Sequence, residues 1–136
     1  MARASSPGVV LIGSAETAIK SSLSEMLSVS FGRESVCVGE TSDLLLEAID
    51  RQVELAIIDT NISGLPLTKV LQILRKCRPR IPVIVVSGDY SVATGSRIME
   101  HGVFYYTYKP LDMSSFKEII DSALKKRAKE REQERR

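Results

Sequence analysis

The chain has 136 residues, 43% of them hydrophobic and 26% charged, with a formal net charge of +2, which is the size of one domain and the balance of an ordinary globular protein. No apolar run approaches the roughly 20 residues of a spanning helix, and Met1 to Gly8 lacks the apolar core of a secretory leader; a membrane role is excluded and a cytoplasmic protein is expected. Cys37 and Cys77 lie far apart in apolar surroundings, without the close spacing of metal or redox motifs, and are expected to be buried thiols.

The first predicted strand runs from Val9 to Ile12. A helix follows in which Ile19, Leu23, Met26 and Leu27 share one face. Ser35 to Val38 is the second strand, and Thr41, Ser42 and Asp43 are candidate caps for a helix that continues through Leu44. The third strand, Leu55 to Ile58, is apolar at every position. Pro66 suits the first turn of a third helix whose inner face is Val70, Leu71 and Leu74. Ile81 to Val86 is the fourth strand, and Gly102 fits the stop of the helix after it. Val103 to Tyr108 is the fifth. Asp112, Ser114 or Ser115 can open the last helix, with Phe116, Ile119, Ile120 and Ala123 facing inward.

Strands apolar on both faces belong in the centre of a parallel sheet, and five of them alternating with five helices give a doubly wound α/β fold. Residues 1–8 form an N-terminal tail, 9–124 the domain, and 125–136 a charged C-terminal helical extension or linker. Seven basic and three acidic residues fall between Lys125 and Arg136, so the basic excess belongs to this extension. With almost no apolar face after Ala128, it is expected to be an exposed helix or a frayed end.

Chemistry in such sheets gathers at the carboxyl ends of the strands. Asp59 ends the third strand, Ser87 ends the fourth, and Lys109 follows the fifth just before Pro110. A carboxylate can attack a phosphoryl group in line, a hydroxyl can bond its oxygens, and an ammonium can offset its charge. Equally, Asp59 and Lys109 can form a structural ion pair while Ser87 caps the next turn.

The positions of Asp59, Ser87 and the Lys109-Pro110 pair, together with Gly102-Val103-Phe104-Tyr105-Tyr106, resemble the receiver domain of bacterial response regulators over roughly Val9 to Leu124. The resemblance implies a flavodoxin-like (βα)5 fold with strand order 2-1-3-4-5. It also implies that Asp59 is a phosphoacceptor, Ser87 the hydroxyl that moves toward the phosphate, Lys109 its charge partner and Tyr106 the switch aromatic. Asn61 falls where the family supplies a backbone carbonyl to magnesium. The implied partners are a sensor histidine kinase or phosphotransfer protein, an effector domain or partner protein, and a second copy meeting the face of the fourth helix, fifth strand and last helix.

One part of that pattern is missing. Receivers carry two adjacent acidic residues after the first strand to hold magnesium; here Ser14 and Ala15 stand in their place, and a one-residue slip to Gly13 and Ser14 restores neither. Magnesium is held through one or two carboxylates plus phosphate oxygens and water, so weak or absent binding is expected. Glu16 is a candidate replacement ligand, or a simple partner of the helix dipole. Ser63, Leu67 and Gly88 are smaller departures in loop positions, and Asp89 either caps the fourth helix or serves the site.

Two functions therefore compete: a receiver module with impaired phosphorylation at Asp59, and a pseudo-receiver that is a protein-binding or dimerisation scaffold selected by its partner. A hydrolase or nucleotide-binding enzyme lacks support. No glycine-rich phosphate loop or nucleophile elbow is present, and the single histidine, His101, is placed at a helix end on the surface. Nucleic-acid binding by the extension is disfavoured by its interleaved acids and missing aromatics.

Overall fold

The computed structural model describes residues 8–134; the first seven residues of the predicted tail, and Arg135 and Arg136 of the extension, lie outside them. The elements alternate as expected: β1 (Val9–Gly13), α1 (Thr17–Phe31), β2 (Ser35–Val38), α2 (Thr41–Asp50), β3 (Val53–Asp59), α3 (Leu67–Cys77), β4 (Val83–Ser87), α4 (Val92–Met99), β5 (Tyr105–Tyr108) and α5 (Met113–Glu134). The five strands form one parallel sheet in the order β2-β1-β3-β4-β5, the doubly wound arrangement the sequence predicts.

Every residue of β1, β3 and β4 is buried, because these three strands occupy the middle of the sheet with helices on both faces. Their alternation divides the core in two. Leu11, Ala56, Ile58 and Val85 point to one side and pack with Leu44, Val70, Leu71 and Ile98 of α2, α3 and α4. Val10, Ile12, Leu55, Ile57 and Ile84 point to the other and meet Leu23 and Leu27 of α1 and Phe116 and Ile120 of α5. Each such buried Val, Leu, Ile or Phe side chain contributes roughly 1.5–3 kcal/mol.

Helix ends follow local chemistry, with one correction. Gly32 adopts the left-handed region at φ 62° and closes α1 by donating to Leu27 and Ser28. Pro66 directly precedes α3, and Asp112 opens α5 by accepting from Ser114 N–H and Ser115 Oγ. The α2 assignment differs. The helix starts at Thr41 after Glu40 without a side-chain cap, because the Thr41 hydroxyl instead accepts from Leu65 N–H at 2.8 Å, tying α2 to the loop after β3.

The cysteines are corrected as well: Cys37 and Cys77 are both exposed. β2 is an edge strand, and its inner-facing residues Val36 and Val38 pack on the core while Cys37 alternates to the other side. Cys77 is the last residue of α3, beyond that helix's apolar face. No helix among the described residues is long and apolar enough to cross a membrane.

The C-terminal extension is helical and continuous with α5, yet it is not wholly exposed. Its Arg131 guanidinium pairs with Glu54, which is buried near the start of β3. The β1 to β3 register shifts between Val9 and Val10, so that Val9 faces Val53 and Val10 faces Leu55. Glu54 is therefore the extra residue of a bulge, the kind of irregularity that re-aims a side chain. Apolar periodicity starts β3 at Leu55 and cannot show this.

Candidate functional site

The parallel register sets the rim. Asp59 lies opposite Val86, and Ser87 lies opposite Tyr108, so Asp59, Ser87 and the residue after β5, Lys109, share the carboxyl edge of the sheet. Asp59 is 2% exposed, and a buried carboxylate is tolerated only when charges and donors compensate it. Three donors do so. Lys109 Nζ stands 2.9 Å from Oδ1, Asn61 N–H donates to Oδ1 at 3.0 Å, and Ser14 Oγ donates to Oδ2 at 2.7 Å.

Lys109 has a second carboxylate. Glu16 Oε2 accepts from Lys109 Nζ at 2.8 Å and from Asn61 Nδ2 at 3.0 Å. Burial alone would lower the Lys109 pKa, but the hydrogen bonds to Glu16 and Asp59 outweigh it and hold the ammonium above its ordinary value. The hydrogen bonds from Lys109 and Asn61 hold the Glu16 carboxyl below the usual carboxylate range. Glu16 makes no cap bond to its own helix; its side chain reaches across the site instead.

Ser87 is completely buried on the same rim, but its hydroxyl is turned aside. It donates to the Asp89 carbonyl at 3.1 Å and accepts from Asp89 N–H at 2.9 Å, while Thr60 Oγ1 approaches it at 3.5 Å. The Tyr106 hydroxyl donates to that same Asp89 carbonyl at 3.4 Å, and its ring lies over Gly95 of α4, where an added Cβ would stand 3.3 Å from it. The Asp89 side chain accepts from Ser91 N–H and Thr94 Oγ1, which lowers its pKa and organises the turn into α4, although Ser91 itself is the cap. His101 sits half-buried in the turn after α4 and has no part in the rim.

The structure thus brings Asp59, Lys109, Glu16 and Asn61 into direct contact and leaves Ser87 and Tyr106 linked to one another through Asp89. Sequence reasoning treated Ser14 only as a missing acid. Its signal was available: a polar residue at the carboxyl end of a buried strand, as at Asp59 and Ser87. Ser14 is fully buried with its hydroxyl on Asp59, whereas Ala15 is exposed.

A magnesium ion at this rim would need hard oxygen donors free to coordinate. Both Asp59 oxygens already accept hydrogen bonds, and the Asn61 carbonyl accepts from Ala15 N–H at 2.7 Å. Glu16 faces an ammonium, and among the described residues no three His, Cys, Asp or Glu side chains are grouped to hold an ion. Asp59 Oδ2 and the Asn61 carbonyl each keep a second lone pair, so the rim would offer the ion one carboxylate, that of Asp59, and the Asn61 carbonyl, with phosphate oxygens and water to complete its shell.

A buried strand-end carboxylate met by a lysine from the fifth strand's end, on a 2-1-3-4-5 sheet, defines a phosphorelay receiver-type rim. The sequence profile of the response regulator receiver domain matches residues 10–121, and the chain belongs to that family. Among curated relatives it is 31% identical over 117 residues to the DNA-binding transcriptional regulator NtrC of Bradyrhizobium sp. (strain RP501 Parasponia), covering 86% of this chain and 24% of that one. It is 27% identical to NtrC of Azospirillum brasilense over 119 residues, covering 88% and again 24%. The chain therefore spans about a quarter of the length of the relatives it matches. Among solved structures, a CheY-like receiver domain protein from Methanospirillum hungatei JF-1 superposes with a TM-score of 0.85 at 26% identity, covering 92% of this chain and 99% of that one.

Proposed function

We propose that this chain is the receiver module of a two-component phosphorelay, with Asp59 as the acceptor position and with magnesium-dependent transfer weak or absent. The observation that carries the reading is the 2.9 Å contact between Lys109 Nζ and the buried Asp59 carboxylate at the carboxyl rim. Asp59 would attack the phosphoryl group of a sensor histidine kinase or phosphotransfer protein, and Lys109 would stay beside the added charge. Ser87 and Tyr106 would transmit the change, since both hydroxyls now meet at Asp89 and a phosphate on Asp59 would compete for that of Ser87. The output would be contact with an effector domain or partner protein, or with a second copy, through the face of α4, β5 and α5. That face exposes Tyr90, Val92, Tyr105 and Tyr108. The module would act in the cytoplasm.

Ser14 favours a second reading. Its hydroxyl satisfies Asp59 where an acid would otherwise recruit a cation, which suits a pseudo-receiver that works as a phosphorylation-independent scaffold. Exposure to a small acyl phosphate with magnesium, followed by mass spectrometry, separates the two. A phosphoryl gain on Asp59 that disappears in Asp59→Asn supports the acceptor role. No gain in the wild type, with a gain in Ser14→Asp, supports the scaffold and places the defect at position 14.

A further inference from the structure

We propose that Glu16 is an internal anion that occupies Lys109 and Asn61, making the residues between β1 and α1 a strap that any phosphodonor must displace to reach Asp59. This rests on the reading of Asp59 as an acceptor position and names how that position is regulated.

The contacts are those an incoming phosphoryl group would need. Lys109 Nζ, the one ammonium touching Asp59 among the described residues, is shared with Glu16 Oε2 at 2.8 Å, and Asn61 Nδ2 holds the same oxygen at 3.0 Å. One cation between two carboxylates leaves the cluster with a net negative charge, so an approaching anion meets repulsion as well as a taken donor. The base of the strap is fixed: Glu16 N–H donates to Ser14 Oγ at 2.9 Å, and Ser14 Oγ donates in turn to Asp59. Its tip is held by polar contacts alone. The Glu16 side chain is 41% exposed while that of Asp59 is 1% exposed, so Glu16 can swing outward without unpacking the core. The Glu16 side chain makes no cap bond to its own helix, and its hydrogen bonds go to Lys109 and Asn61.

Displacement would free Lys109 for the phosphoryl oxygens. An Asp59 oxygen would then bond to phosphorus while the donor's P–O bond breaks, its electron pair leaving with the acyl carboxylate.

The test compares the full chain with Glu16→Gln, which keeps shape and removes charge, and Glu16→Ala, which removes the strap. Two readouts are taken: acetylation of Lys109 by acetic anhydride, with exposed Lys69 and Lys117 as references, and the rate of Asp59 phosphorylation against the concentration of an acyl phosphate. Glu16→Ala is expected to raise Lys109 acetylation several-fold. Both variants are expected to speed phosphorylation about tenfold with a lower half-saturating donor concentration, and raised salt should narrow the gap because it screens the removed charge. Lys109 acetylation unchanged in both variants would overturn the strap. Unmasked Lys109 with no phosphoryl on Asp59 in any chain would support the strap and overturn the acceptor reading.

Discussion

At position 14 a hydroxyl donates to a carboxylate that the sheet has already removed from water, and a hydrogen bond to a charged group contributes roughly 1.5–3 kcal/mol. Ser14→Ala is therefore expected to lower the unfolding free energy by about 1.5–3 kcal/mol in urea titrations, with no change in m-value. Ser14→Asp puts a second carboxylate against Asp59 and should lower Tm by more, with much of the loss recovered in magnesium chloride; the wild type should show no such recovery. The charged members of the site were legible because Asp59 and Lys109 interrupt or end apolar runs, where a charge needs a reason. The directions of the side chains were not. Whether Glu16 faces its own helix or Lys109, and whether the Ser87 hydroxyl faces Asp59 or Asp89, depends on loop geometry that residue spacing does not encode. The pH dependence follows from the directions at Glu16 and Lys109. Glu16 is held below its ordinary value of 4.5, so its contribution is present above that value and lost as pH falls through the lowered one. Lys109 is held above its ordinary value of 10.5, so its contribution is complete below 10.5 and lost as pH rises through the raised one. The stability difference between wild type and Glu16→Gln should shrink on the acid side as Glu16 is protonated, and that between wild type and Lys109→Met should shrink on the alkaline side as the ammonium is lost; because the two groups pair with each other, each difference also shrinks where the partner loses its charge. Urea midpoints measured across pH check both.

Each helix ends with carbonyls that need donors, and two arginines from the end of α3 supply them to its neighbours. Arg78 Nε and Nη2 donate to Ala48 and Ile49 at 3.1 and 2.6 Å, closing α2. Arg75 donates to the carbonyls of His101, Gly102 and Pro79, holding the turn after α4, where Gly102 takes φ 74°. Arg78→Met keeps the stem and removes the donors, so it should cost about 1–2 kcal/mol and speed amide hydrogen exchange in the last turn of α2 while leaving α1 unchanged. The helices themselves were readable from apolar spacing, and the three central strands from their unbroken apolar runs. Junctions were less so. Thr41 looks like a cap by residue type, but its hydroxyl serves Leu65 from across a loop; Cys37 looks buried among valines, but the edge strand alternates it outward. Both depend on what lies beside the element, information that a one-dimensional period does not carry. Gly13 shows the same limit at the end of β1, where a Cβ would lie 2.8 Å from Leu44 Cδ1 and 2.9 Å from Ile62 Cδ1; α2 and the loop after β3 close on the backbone there, which fixes the approach of the chain to Ser14.

Across the whole molecule the Asp59 rim and the anchor of the C-terminal extension lie at opposite ends of β3. Asp59 ends that strand at the rim, and Glu54 sits near its start, where it accepts from Gly8 N–H at 3.0 Å and pairs with Arg131 of α5. Arg80 adds an exposed pair with Glu134 at 2.7 Å. Composition alone reads the stretch from Lys125 as solvated, because its charges nearly all lack apolar company; the single buried acid that recruits Arg131 is far away in sequence and hidden in a bulge. Removing one partner of a buried pair costs roughly 3–5 kcal/mol, whereas removing both is close to neutral. Arg131 keeps about a fifth of its side chain in contact with water, and Glu54 keeps the Gly8 donor, so Arg131→Ala should destabilise the protein by about 2 kcal/mol. Glu54→Gln with Arg131→Ala should recover most of that loss, and the coupling is read from urea unfolding of the wild type, both single variants and the double variant. Additive single effects would mean that the extension does not rest on the body in solution. A clear coupling would mean that the last turns of α5 rest on the start of β3 in solution, so that the extension and the body unfold as one unit.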